Sequence, residues 1–129
     1  MNIVIDTHFV ILLADDRLET CSRSHRNVML SESSQIFVSV VSLWEVAIKV
    51  RLGKLPIRNP AENWPGILES AGAIILPIGV AQVFSEIGPE PTTKDPFDRL
   101  LLGVCAAESM KLLTIDRDLV NHPLAWREG

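Results

Sequence analysis

The chain has 129 residues, 47% of them hydrophobic and 22% charged, and a net charge of −4; this suits one domain with a real core, is too short for a second, and is too apolar for disorder. Its apolar stretches are broken by Asp6, Ser39, Ser42, Glu45 and Arg99 well before the roughly 18–20 residues of a bilayer span, which excludes a transmembrane helix. The acidic excess, with a pI near 5.3, excludes nonspecific attraction to nucleic acid over the whole surface, so a polyanion would need a local basic patch or a bound cation.

Residues 2–5 form a short β-branched run that ends abruptly at Asp6-Thr7, after which Phe9, Leu12 and Leu13 recur at helical spacing, predicting a strand followed by a helix. This start lacks Lys and Arg, carries Asp6 inside the apolar run and leads into Asp15-Asp16, unlike a signal peptide, so the expected location is the cytoplasm. An amphipathic surface helix is predicted within 22–34, then a strand over 35–39. Ser42-Leu43-Trp44-Glu45 has the form of a capping box, opening a helix through Val46, Ile48, Val50 and Leu52 that stops at Gly53. A short helix precedes Gly72, a third strand covers 73–76, a brief helix 79–87 and a loop 88–91. Asp95-Pro96 opens the next helix with an N-cap acid and a first-turn proline. A fourth strand is expected over 111–115, closed by Asp116, and a short edge strand over 124–126.

Strands alternate with helices and are continuous apolar runs, which predicts an α/β fold: a three-layer sandwich with a mostly parallel central sheet in one domain spanning residues 1–129. Cys21 and Cys105 have neither disulfide-framework nor ligand spacing, and Cys105 reads as a core thiol. Trp44, Trp64 and Trp126 read as core or interface packing, and His25 and His122 as surface residues. No histidine is assigned a catalytic role.

Four acids fall at strand-to-helix junctions or in first helical turns: Asp6, Glu45, Asp98 and Asp116. Taken singly each is explained as a helix cap. Taken together they sit where open α/β sheets place their ligand crevice, at the carboxyl ends of the strands. Carboxylates converging there need a cation, and oxygen-only ligands select Mg²⁺ or Mn²⁺ over zinc. Setting the four aside leaves 12 acids against 12 Lys and Arg, so the charge deficit is assigned to this pocket. No acid lies between Glu45 and Glu62, while Lys49, Arg51, Lys54 and Arg58 do; they are candidates for phosphate contacts, beside the alternative of a solvated helix end. Thr7, Ser42 and Thr114 adjoin the acids and are further candidates for holding phosphate or a metal-bound water, as well as for capping and strand packing.

The segments V-I-D-T-H at 4–8, S-V-V-S-L-W-E-V-A-I-K at 39–49, D-P-F-D-R-L-L at 95–101 and L-T-I-D-R at 113–117 together resemble PIN-domain proteins of the VapC-type toxin ribonuclease family. The resemblance implies a Mg²⁺- or Mn²⁺-dependent endoribonuclease acting on RNA, the toxin of a type II toxin–antitoxin pair, held inactive by a cognate antitoxin protein and working as a homodimer. It implies that Asp6, Glu45, Asp98 and Asp116 are the catalytic and metal-binding acids. Two alternatives stand beside it: a receiver-like Mg²⁺-binding signalling domain, and a catalytically silent interaction module on the same fold. The receiver is disfavoured because Asp6 stands alone after the first strand and Leu76-Pro77, without an acid, closes the third.

Overall fold

The computed structural model describes residues 1–129. Its strands are β1 (Asn2–Ile5), β2 (Gln35–Ser39), β3 (Ile74–Leu76) and β4 (Lys111–Leu113), and its α-helices are α1 (Thr7–Ala14), α2 (Arg23–Leu30), α3 (Val40–Arg51), α4 (Trp64–Ser70), α5 (Val80–Val83) and α6 (Pro96–Glu108). The strands pair in parallel in the order β3-β2-β1-β4.

Because strand side chains alternate between faces, each strand feeds two cores. Ile3, Ile5, Ile36, Val38 and Leu113 join Phe9 and Val10 of α1 and Trp64 and Leu68 of α4 on one face. Val4, Phe37 and Leu112 join Leu101, Leu102, Val104 and Cys105 of α6 on the other. Two covered faces make the three-layer α/β sandwich that the alternation of elements predicts. Burial pushes the Cys105 thiol up to about 12, as a core thiol should be.

Several boundaries differ from expectation. Helix α3 starts at Val40, directly after β2 and ahead of the expected Ser42 start, and Ser39 rather than Ser42 caps it, its hydroxyl accepting the Val41 N–H at 3.1 Å. The Ser42–Glu45 capping box is therefore not formed. The helix within 79–87 is the single turn α5, and the fourth strand ends at Leu113 because Thr114 turns its hydroxyl to accept the Asp116 N–H at 3.0 Å. The edge strand over 124–126 is reduced to one parallel bridge between Leu112 and Ala125. His122 is buried, its ring bonded to Pro89 O at 2.7 Å and accepting the Leu124 N–H, and His25 is half-buried between the edges of Phe9 and Trp126; neither is the surface residue expected.

Three features stiffen the frame around the sheet. Buried Asp15, just past α1, accepts the backbone N–H groups of Arg58 (3.1 Å) and Asn59 (3.3 Å), tying the segment after α3 to the far end of α1. Helices α5 and α6 approach so closely that a Cβ at Gly103 would meet Gln82 O at 2.5 Å, which leaves room for glycine alone. Arg99 of α6 donates to Ser85 O at 3.0 Å and pairs with Glu90, so it braces the loop before α6.

Candidate active site

Parallel pairing brings the carboxyl ends of all four strands to one edge, and a cleft of about 320 Å³ opens there, lined by Asp6, Thr7, His8, Ile11, Glu45, Lys49, Asp95, Asp98, Ile115 and Asp116. The four acids singled out from the sequence all line it, although they come from four separate parts of the chain. Thr7 and Lys49 line it as well. Ser42 and Thr114 are buried directly behind, and Arg51, Lys54 and Arg58 lie outside the lining. Arg58 is held by its contacts to Asp15, which closes the far end of α1.

Each acid is held differently. Asp6 N–H donates to Leu113 O at 3.0 Å, prolonging the β1–β4 ladder, and Asp6 Oδ1 caps α1 by accepting the Phe9 N–H at 3.2 Å. Burial raises its pKa, a rise opposed by hydrogen bonds from the Thr114 hydroxyl and the Phe9 N–H. Glu45 lies in the second turn of α3 and caps nothing. Its Oε1 accepts the Thr7 hydroxyl at 2.6 Å, its Oε2 accepts Lys49 Nζ at 2.6 Å, and Thr7 Oγ1 lies 3.0 Å from Ser42 Oγ. Asp116 Oδ1 accepts the Asp118 N–H at 2.8 Å in a turn; no helix follows for it to cap.

Asp98 is the least compensated of the four. The cap of α6 is Asp95, whose Oδ1 accepts the Phe97 N–H at 2.8 Å. Asp98 has only a long 3.5 Å contact from the Thr93 hydroxyl. Burial first, then the carboxylates of Asp95, Asp116, Glu45 and Asp6, push it up to about 7. A helix cap has its pKa lowered by the N–H groups it accepts; a member of an unbalanced carboxylate cluster behaves as Asp98 does. Asp95, expected as an N-cap, caps α6 and also lines the cleft as a fifth carboxylate. Its place three residues before Asp98 puts both acids at the start of α6.

The donor set suits a hard divalent cation: the carboxylates are oxygen ligands, crowded enough that a cation would relieve them. As they stand, no three acidic, His or Cys side chains are gathered closely enough to hold an ion, and each oxygen of Glu45 carries a hydrogen bond. At the rim Trp44 is 55% exposed and meets Phe97 edge-on with centroids 5.3 Å apart, joining α3 to α6. It is not a core residue, whereas Trp64 is fully buried and donates to Asn59 O at 2.9 Å.

The model of the PIN domain family matches residues 3–123. The chain belongs to the PIN domain family. That membership favours the nuclease reading over the receiver alternative. Among solved structures, this PIN domain is similar to one described as the crystal structure of VapBC2 from Rickettsia felis bound to a DNA fragment from their promoter, with 15% identity and a TM-score of 0.63 over 97% of this chain and 96% of that one. At that identity the likeness shows the fold alone. No match is found among curated proteins. No helix of this PIN domain is long and apolar enough to cross a membrane.

Proposed function

We propose that this PIN domain is a Mg²⁺- or Mn²⁺-dependent endoribonuclease and the toxin of a type II toxin–antitoxin pair, with Asp6, Glu45, Asp98 and Asp116 as its metal-binding and catalytic acids. The observation that carries the reading is the convergence of four acids from distant parts of the chain on one cleft, one of them, Asp98, raised to about 7 by burial and the other acids. PIN domains are nucleases that generally use divalent ions, and the likeness to VapBC2 supports an antitoxin as partner. The exposed apolar side chains Val80, Val83 and Phe84 on and beside α5 support a homodimer.

A bound divalent ion supplies positive charge for the phosphoryl and leaving oxygens and lowers the pKa of water. The chain supplies the rest. Asp6 and Asp98 would hold the ion directly, Asp6 being oriented by the Thr114 hydroxyl and by its capping bond. Glu45 would hold the ion or position the attacking water, with Thr7 fixing one of its oxygens and Ser42 backing Thr7. Asp116 completes the acidic wall. Lys49, Arg51 and Lys54 are exposed along the end of α3 and beyond it, and they attract the RNA backbone that the acidic body as a whole repels. Arg58, tied to Asp15, contributes at most from a distance.

Cleavage of a single-stranded RNA by the purified protein, with Mg²⁺ or Mn²⁺ and with excess chelator, tests the proposal. Cleavage that stops in chelator and returns with the ion is expected; undiminished cleavage in chelator contradicts it.

A further inference from the structure

Glu45 is the one acid of the cleft with a cation on it. Its side chain is 8% exposed and Lys49 Nζ sits 2.6 Å from Oε2, while Thr7 holds Oε1 at the same distance. A helical Glu–Lys pair four residues apart is ordinarily a surface feature worth a few tenths of a kcal/mol, with both partners in water. Here the carboxylate is buried and lines a cleft with four other carboxylates, and Lys49 is the only Lys or Arg in that lining. The lysine therefore partly neutralises the acidic cluster, and it does so by occupying an oxygen that a metal ion would need.

We propose that Lys49 is the resident counter-cation of the cleft, and that a divalent ion recruits Glu45 only by displacing the Lys49 ammonium from Oε2. The proposal rests on the metal-site reading above. The exchange moves charge without chemistry. Lys49 keeps its proton, and because its side chain is already 46% exposed the ammonium turns into water at little desolvation cost. No covalent bond is made or broken. The consequence is a cleft with two arrangements, lysine-paired and metal-loaded, whose balance is set by the ion's concentration, since each ligand shifts it only by its preference for one arrangement.

The test uses full-length protein freed of metal and titrated with Mn²⁺ by calorimetry, with melting temperatures taken in chelator and in Mn²⁺. Wild type is compared with Lys49→Met, Lys49→Arg and Asp98→Asn. Without the competing charge, Lys49→Met should melt lower than wild type in chelator, bind Mn²⁺ about tenfold more tightly, and show a larger Mn²⁺-induced rise in melting temperature. Lys49→Arg, which keeps the charge, should bind Mn²⁺ much as wild type does and controls for disturbed folding. Unchanged or weaker Mn²⁺ binding by Lys49→Met, with wild-type binding present and lost in Asp98→Asn, overturns the role of Lys49 and leaves the metal site standing. No Mn²⁺ binding by wild type overturns both.

Discussion

Thr7 Oγ1 stands 2.6 Å from Glu45 Oε1, a hydrogen bond that joins the first turn of α1 to the second turn of α3 across 38 residues of chain. Thr7 follows the strand-ending Asp6 directly, so this bond sets the position of Glu45 relative to the carboxyl edge of the sheet. Thr7→Val keeps the shape and removes the donor. Loss of a buried, charge-assisted bond should cost about 1–2 kcal/mol, and release of Glu45 should lower cleavage roughly 10–100-fold. Thr7→Ser, which keeps a hydroxyl, should recover most of both. Denaturant unfolding and a cleavage assay on the three proteins measure this; full activity in Thr7→Val would show that Glu45 needs no such support.

The acidic cluster also gives stability a distinctive pH dependence. In the folded chain Asp98 titrates near 7 rather than 3.8, so between those values the folded state binds more protons than the unfolded. Its contribution is intact below 3.8 and is lost as pH rises through about 7. Asp6, raised chiefly by burial, acts in the same direction. In chelator, the melting temperature of wild type relative to Asp98→Asn should therefore fall as pH rises from about 5 to about 8. A difference that stays constant or grows over that range would mean that Asp98 ionises freely in the folded protein.

Much of this was legible in the amino-acid sequence. The run Ile3-Val4-Ile5 is buried on both faces and Asp6 interrupts it where α1 starts, so strand, junction and acid announced themselves together. The start of α3 did not. Val40 and Val41 continue the β-branched pattern of β2, and that pattern hides the local cap, Ser39, with which the helix begins. The capping box read into Ser42 and Glu45 was a coincidence of spacing: both side chains turn to Thr7 on a helix 35 to 38 residues earlier. Long-range partners also account for His122, buried by Pro89, and for Arg58, claimed by Asp15. In each case the deciding neighbour lies far away in the chain, where periodicity carries no information.

The close crossing of α5 and α6 makes a prediction of sign. Gly→Ala in a helix interior ordinarily stabilises by about 0.5–1 kcal/mol. At Gly103 the added methyl meets a backbone carbonyl at 2.5 Å, and overpacking of this kind costs about 1–3 kcal/mol. Gly103→Ala should lower the denaturation midpoint without changing the Mn²⁺ response, since Gly103 is not in the cleft lining. A raised midpoint would show that α5 yields to the methyl.

The central claim, that the acids form a metal site rather than a set of helix caps, is tested most directly by the melting temperatures of Asp6→Asn and Asp98→Asn in chelator and in Mn²⁺, with RNA cleavage read alongside. Asn caps about as well as Asp, so a pure cap at Asp6 would lose only the helix-dipole contribution, about 0.3–1 kcal/mol, and Asp98 makes no cap to lose. Removing either charge relieves repulsion within the metal-free cluster. Both variants should melt at or above wild type in chelator, show little of its Mn²⁺-induced rise, and fail to cleave RNA. Variants that melt below wild type in chelator yet keep the Mn²⁺ response and cleavage would contradict the account.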